Sequence, residues 1–145
     1  MLRAFPFLLL ALVIGCRPYD AKTPSELADA YRQEYGVRPP DGVSVMKARV
    51  MGIRDWNKEW LMIEAKGRSM ESVVTTNFVR QSSPPDGFTG ERDKYTPDWW
   101  VLPPVEQLEF YVNTNWSPGS WAHSSAGIAV HRSVGIAYFL CVRID

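Results

Sequence analysis

The sequence predicts an α+β domain: an antiparallel sheet of about five strands with one or two helices on one face. Two observations predict this fold class. Apolar residues recur with a helical period in a capped segment near the start, whereas several later segments are β-branched or alternate between apolar and polar residues. Their order, two helices separated by two strands and followed by three more strands, suits helices packed on an antiparallel sheet. At 145 residues and 46% apolar content, the chain can bury one core.

The segment TPSELADAYRQEYG carries the signals that begin and end a helix. Thr23 is a good N-cap, Pro24 suits the first helical position, and Glu26 completes a capping box with Thr23. Apolar side chains fall four residues apart, at Leu27, Tyr31 and Tyr35. Because Gly36 is a natural C-terminal stop, we expect a helix over residues 24–35.

The next segments predict a β-hairpin. VRPPDG is a turn, because Pro39 and Pro40 have no amide hydrogen and Gly42 frees the backbone. GVSVMKARVMGI and EWLMIEAKG are then rich in β-branched and apolar residues, and they flank the stretch Asp55 to Lys58. This arrangement is typical of two strands joined by a short loop.

The segment SMESVVTTNFVRQ predicts a second helix. Ser69 can cap it, and Glu71 lies in its first turn. Five positions share one helical face: Met70, Val73, Val74, Asn77 and Phe78. The β-branched run from Val73 to Thr76 favours a strand, but a strand would not group those positions on one side.

A long irregular segment follows over residues 81–104, QSSPPDGFTGERDKYTPDWWVLPP. It holds five prolines and two glycines and shows no periodicity. A loop of this length in a compact domain is usually either functional or poorly ordered. After it, EQLEFYVNT alternates as a half-buried strand does, and AGIAVHR and GIAYFLCVRI are expected to pair through HRSVG.

Charge and motifs exclude several classes of function. Sixteen basic residues balance sixteen acidic ones with no run of like charge, which disfavours nucleic-acid binding. The sequence has no glycine-rich phosphate loop, and its two histidines do not show the spacing of metal ligands. We therefore predict no cofactor and no metal site.

The N-terminal segment has the layout of a secretory signal peptide. Arg3 precedes an apolar run from Phe5 to Ile14, and small Gly15 stands directly before Cys16. The run is too short to span a bilayer, which takes about 20 apolar residues. The stretch VIGC resembles the lipobox of bacterial lipoproteins. The resemblance implies that a peptidase removes residues 1–15 and that Cys16 carries the lipid, with acyl chains such as palmitate.

The resemblance also implies a location in the cell envelope. The lipid would hold the chain at the membrane through a short tether, residues 16–23, before a single domain, residues 24–145. In enterobacterial lipoproteins an aspartate after the cysteine gives retention in the inner membrane, so Arg17 favours the outer membrane facing the periplasm in a Gram-negative cell. Lipidation of Cys16 leaves Cys141 without an intramolecular partner, and its apolar neighbours predict a buried, inert thiol.

Two aromatic segments are the candidate contact surfaces. The loop supplies Tyr95, Asp98, Trp99 and Trp100, and the segment NWSPGSWAHSS supplies Trp116, Trp121 and His123. Such aromatic faces suit a sugar ring or the apolar anchor of a partner. For Trp99 and Trp100 the sequence favours another interpretation, in which one or both fold back to seal the open face of the sheet as core residues. Alternation along an extended segment predicts that one of Trp99 and Trp100 is buried and the other exposed.

These features predict a non-catalytic binding module of the envelope, with an envelope protein, a glycan or a phage component as partner. No catalytic residue is assigned. One alternative is a cell-envelope hydrolase that uses His123 or the loop carboxylates, which are Asp86, Glu91, Asp93 and Asp98. Arg92 and Lys94 stand between those carboxylates and would pair with them in solvent. A third interpretation is a structural spacer.

The lipobox gives a first testable prediction. Cys16→Ser removes the thiol that would carry the lipid, so the chain should keep residues 1–15 and take up no labelled palmitate. Gel mobility and incorporation of radiolabelled palmitate measure the two effects. A Cys16→Ser protein that is still processed and membrane-bound as before would contradict the assignment.

Overall fold

The computed structural model describes residues 18–53, 55–90, 92–116 and 123–145. The predicted signal peptide and Cys16 lie outside the described residues, and so do Glu91 and Trp121. The sequence-based expectations for those residues therefore stay predictions.

The described residues form one antiparallel sheet of seven strands, in the spatial order β1-β2-β3-β7-β6-β5-β4. Along the chain the strands are β1 (Tyr19–Asp20), β2 (Val43–Ile53), β3 (Trp56–Ala65), β4 (Val79–Gln81), β5 (Glu109–Asn113), β6 (His123–His131) and β7 (Ile136–Ile144). The expectation of about five strands is wrong in number. The five longer strands are those predicted, whereas β1 and β4 are too short to show an alternating pattern.

The predicted helix is confirmed as α1 (Pro24–Tyr35). The Thr23 side chain accepts a hydrogen bond from the backbone N–H of Glu26, whose carboxylate accepts one from the N–H of Thr23. Gly36 ends the helix at φ 72°, a left-handed conformation that glycine adopts without strain. The inner face of α1 packs against β2 and contributes Tyr31 to the core.

The predicted second helix is wrong. Residues Gly67–Ser72 form a short 3-10 helix, and the chain then turns and enters β4 at Val79. The β-branched run after Ser72 explains the difference, because such residues lose side-chain freedom in a helix. Met70, Val73 and Phe78 still reach the core. The apolar pattern therefore predicted correctly that these side chains are buried, although the segment does not form an α-helix.

Both predicted hairpins are present. β2 pairs with β3 from Val43↔Ala65 to Ile53↔Trp56, so Trp56, Asn57 and Lys58 belong to β3 and not to the connecting loop. A bulge interrupts this pairing between Val45 and Lys47. β6 pairs with β7 over the full length of both strands, from His123↔Ile144 to His131↔Ile136.

The sheet buries apolar side chains on both faces, and α1 and the long loop cover opposite faces. The core on the helix face includes Tyr31, Leu61, Ile63, Val73, Trp116, Ile128 and Phe139. The core on the loop face includes Met51, Trp60, Phe88, Trp100, Phe110, Tyr138 and Leu140. Successive residues of a strand point to opposite faces, which is why Phe139 and Leu140 belong to different cores.

The long loop lies directly on β6 and β7. Between β4 and the 3-10 turn Val105–Gln107 it has no helix or strand among its described residues, as predicted, apart from one bridge between Asp86 and Thr89. A Cβ atom on Gly127 would lie 2.7 Å from Cε2 of Phe88. The ring of Phe88 can therefore rest on β6 only because position 127 has no side chain.

Gly127→Ala should destabilise the fold, because the added methyl group must displace the buried ring of Phe88. The expected loss is about 1–3 kcal/mol in the free energy of unfolding, measured by urea denaturation. Gly52→Ala is the matched control, since Gly52 lies in β2 and its added Cβ would be 3.5 Å from the Asn57 side chain, an ordinary contact. Equal stability of the two variants would show that the loop does not press on β6 in this way.

Candidate functional site

A cleft of about 640 Å³ opens within the long loop. Its walls are two stretches of the loop, one before and one after the turn at Tyr95. Apolar side chains form most of its lining: Phe88, Trp100, Val101, Leu102, Val105, Leu108 and Phe110. Its polar lining includes Lys58, Arg92, Asp93 and Thr96. A recess of this size with a mainly apolar lining and few polar groups is typical of ligand sites.

Asp93 organises the turn of the loop beside the cleft. Its carboxylate accepts hydrogen bonds from the backbone N–H groups of Tyr95 and Thr96, both at 2.8 Å, and from Thr96 Oγ1 at 2.9 Å. Nζ of Lys58 on β3 lies 2.9 Å from its other oxygen. Partial burial opposes ionisation of Asp93, but the hydrogen bonds from Lys58 and Thr96 outweigh it and lower its pKa to about 2. Asp93 is therefore an ionised structural anchor.

Two cations lie at the cleft, and they differ in their partners. Lys58 pairs with Asp93, and its ammonium also lies 4.9 Å from the centre of the Trp60 ring. The exposed guanidinium of Arg92 donates a hydrogen bond to the carbonyl oxygen of Pro97. Within the described residues no carboxylate forms an ion pair with Arg92. Arg92 is thus the cation of the cleft lining that has no ionic partner among the described residues.

The structure buries one of the two adjacent tryptophans more than the other. Trp100 is only 4% exposed, and its ring centre lies 5.5 Å from that of Phe88 and 5.7 Å from that of Tyr138. Trp99 is half-buried and meets Trp100 edge to face. The prediction that one of the two tryptophans is buried is confirmed for Trp100. Trp99 is half-buried and is therefore less exposed than the alternation predicts. Trp100 is both a core residue and part of the cleft lining.

The other two candidate loop residues lie around this pair. Asp98 is exposed. Tyr95 is half-buried, with its ring centre 6.3 Å from that of Trp56, and its carbonyl oxygen accepts a hydrogen bond from Nη1 of Arg49. The same guanidinium donates two hydrogen bonds to the carboxylate of Asp20 in β1. The turn of the loop is therefore fastened to the first strand.

The two candidate residues of the second aromatic segment that the structure describes, Trp116 and His123, do not line the cleft. Trp116 belongs to the core on the helix face, is 8% exposed and donates from Nε1 to Glu34. His123 is exposed at the first position of β6. The sheet therefore separates Trp116 from the candidate residues on the loop face.

A buried charged cluster lies on the helix face, and sequence reasoning missed it. Arg143 on β7 donates from Nη2 to Glu34 on α1 and from Nη1 to Asn57, and its Nη1 lies 3.7 Å from a carboxylate oxygen of Glu59 on β3. The side chains of Glu34 and Glu59 are 0% exposed and that of Arg143 is 2% exposed. The positions of these residues in their strands could have revealed the cluster. Glu59 points to the same face of the sheet as the buried Leu61, and Arg143 points to the same face as the buried Cys141.

Among the described residues, the cluster carries two carboxyl groups and one guanidinium. Burial raises the pKa of Glu59 well above its ordinary range, and the neighbouring carboxylate of Glu34 raises it further. Arg143 favours the charged form of Glu59 but does not compensate for these effects. The protonated form is therefore favoured at Glu59, and Glu34 is the carboxyl group that forms the close ion pair with Arg143. A paired acid and base of this kind would suit catalysis, but these side chains are sealed from solvent, and the cluster joins α1 to the sheet.

The thiol of Cys141 is buried beside this cluster, as its apolar neighbours predicted. Burial and the charge of Glu34 raise its pKa, so the protonated form is favoured. Oγ of Ser124 lies 3.9 Å from its sulfur atom. The structure therefore places Cys141 among core residues of low reactivity.

A serine and a histidine meet at the β6–β7 turn. Oγ of Ser133 lies 3.1 Å from Nδ1 of His131, whose Nε2 lies 3.0 Å from the amide oxygen of Gln107. Gln107 therefore does not take the place of the carboxylate that orients the histidine of a catalytic triad, because a neutral amide cannot stabilise an imidazolium as a carboxylate does.

The described residues hold no group of three potential metal ligands. No helix among them is long and apolar enough to cross a bilayer.

Comparisons with protein-family models, with curated proteins and with solved structures find no match for this chain. The function must therefore be inferred from the site.

The buried cluster gives a prediction about pH. In Glu59→Gln a neutral side chain of similar shape replaces a carboxyl whose folded-state pKa is raised. The wild-type domain should lose stability as pH rises from about 4.5 towards that raised pKa, because the folded state binds the extra proton. The E59Q variant has no carboxyl group at this position, so it should not lose stability in this way as pH rises. Urea denaturation should therefore show E59Q gaining stability relative to wild type between pH 5 and pH 8.

Glu34→Gln is the matched comparison, because it removes the charged partner of a buried guanidinium. We expect it to cost about 3–5 kcal/mol in the free energy of unfolding at pH 8. If E59Q were as damaging as E34Q at pH 8, Glu59 would be the charged partner and our assignment of the proton would be wrong.

Proposed function

We propose that this chain is a lipid-anchored protein of the cell envelope whose domain binds a ligand in the loop cleft without catalysing a reaction. The observation that carries the proposal is the cleft itself, a recess of about 640 Å³ with a mainly apolar lining. Its volume lies within the range of about 300–1,000 Å³ that is usual for ligand sites.

The rigidity of the cleft floor supports binding. Trp100 is fixed by ring contacts with Phe88 and Tyr138, and the latter belongs to β7 in the centre of the sheet. Asp93 holds the neighbouring turn with hydrogen bonds. A site that is already formed loses little conformational freedom when a ligand enters, which favours affinity.

The lining favours an apolar group over a sugar ring. A sugar platform needs an exposed aromatic face, and Trp100 is 4% exposed. Val101 and Val105, by contrast, are 63% and 44% exposed at the edge of the cleft. The cleft would therefore bind an apolar part of its partner, whether that partner is an envelope protein or a small molecule.

The proposed anchor would keep the cleft near the membrane. Two residues lie between Cys16 and Tyr19, the first residue of β1, so the Cα atoms of Cys16 and Tyr19 can be at most about 10 Å apart. Asp20 of β1 is bound by Arg49, which also holds Tyr95 in the loop. The lipid, the first strand and the loop would thus be linked by a short series of contacts.

Photo-crosslinking in intact cells tests the binding surface. A photoreactive amino acid at Val101 should give a discrete adduct, whose mass shows whether the partner is a protein, a glycan or a small molecule. Val79 in β4 is the matched control, because it is also a valine and is also 63% exposed, but it does not line the cleft. Adducts that are identical from both positions, or no adduct from Val101, would count against the cleft as the contact site.

A further inference from the structure

We propose that the ligand of the cleft is a free amphiphile with one anionic group, and that Arg92 contacts this group while the apolar body lies on the apolar lining of the cleft. This inference rests on the proposed function of the cleft as a binding site. It adds the chemical class of the ligand and the residue that selects it.

The described residues that line the cleft carry more positive than negative side chains. They include two cations, Lys58 and Arg92, and one anion, Asp93. Asp93 is already saturated by Lys58 and by donors of its own turn. Its negative charge is thus engaged inside the protein, and a cationic ligand would find no free carboxylate there.

Arg92 is the cation of the cleft that can receive an anionic ligand. Its guanidinium has five N–H donors, and one nitrogen donates to the carbonyl of Pro97. That contact is to a neutral backbone group and leaves the positive charge without an opposite charge in the described part of the chain. A carboxylate, sulfonate or phosphate oxygen is the group that best completes such a guanidinium.

The cleft also offers an accessible apolar lining. Val101, Val105 and Leu108 line the same cleft as Arg92, and the two valines are 63% and 44% exposed. A ligand that contacts both Arg92 and this lining must carry an anionic group at one end and an apolar body at the other. That combination defines an anionic amphiphile, such as a fatty acid or an aromatic acid.

The net charge of the chain and the shape of the cleft favour a free molecule over a membrane surface. Sixteen basic and sixteen acidic residues give the chain no net charge, so long-range attraction to an anionic bilayer is weak. The cationic group also stands beside a recess, which admits a single apolar body more readily than a flat bilayer surface. The arrangement therefore favours an amphiphile bound one molecule at a time.

Two fluorescent dyes of matched shape test the proposal. 1-Anilinonaphthalene-8-sulfonate carries a sulfonate, and N-phenyl-1-naphthylamine has the same aromatic body without it. Both are titrated into the full chain carrying Cys16→Ser. We expect Arg92→Gln to weaken binding of the sulfonate dye about three- to fivefold, as removal of an exposed ion pair does, and to change the neutral dye less than about twofold. Arg68→Gln is the matched control, because Arg68 is an exposed arginine outside the cleft.

The outcomes distinguish this proposal from the proposed function. If Arg92→Gln and Arg68→Gln affect both dyes equally, anion selection is overturned while binding in the cleft stands. Val101→Trp should reduce binding of both dyes relative to Val79→Trp, because only the first adds bulk at the cleft. If these two variants bind both dyes alike, the cleft is not the site and the proposed function fails with the inference.

A flotation assay separates the two sources of an anionic group. The same arginine variants are mixed with phosphatidylglycerol vesicles and with phosphatidylcholine vesicles. We expect Arg92→Gln and Arg68→Gln to float equally with each. Selective loss of the Arg92→Gln protein from the phosphatidylglycerol vesicles would assign Arg92 to a membrane headgroup and overturn the free amphiphile.

Discussion

The buried pair of Arg143 and Glu34 is the interaction on which the arrangement of helix and sheet depends. A guanidinium removed from water must be paired, and the charged partner of Arg143 comes from α1. The apolar stripe of α1 is narrow, so hydrophobic contact alone would allow the helix to slide or rotate on β2. The second carboxylate oxygen of Glu34 accepts a hydrogen bond from Nε1 of Trp116, which also fixes the orientation of the carboxylate. The helix is therefore positioned by polar geometry as well as by burial.

With the helix fixed on one face, the sheet needs a cover for the other, and the long loop supplies it. The loop crosses from the β5 side to the β2 side and returns, as its contacts with Gly127 and Arg49 show. A proline-rich chain lacks the amide hydrogens for regular pairing, and its fixed φ angles limit how closely it can collapse. Pro103 and Pro104 line the space that remains open between the two stretches of the loop. The cleft is thus a consequence of covering an apolar face with irregular chain.

Local signals in the sequence predicted much of this fold. The capping box and Gly36 defined α1 because their effects act within a few residues. The long strands were visible because alternation repeats over many positions, whereas two- and three-residue strands exist only through pairing with a neighbour. The 3-10 helix at Gly67–Ser72 was missed because periodicity alone does not separate it from an α-helix. Glu34 and Arg143 are 109 residues apart, so no local pattern joins them. The aromatic candidates were identified by type, but their division between two faces required the topology.

The lengths of the two outermost strands have a consequence for crowding on a membrane. Lipid anchoring would concentrate many copies in two dimensions, where an exposed sheet edge can recruit the edge of a neighbouring copy. β1 offers two residues and β4 offers three, too few for a stable intermolecular ladder. The bulge between Val45 and Lys47 also interrupts the regular edge of β2 beyond β1. If the chain is lipid-anchored, these two short strands would offer a neighbouring copy few backbone groups for pairing at high surface density.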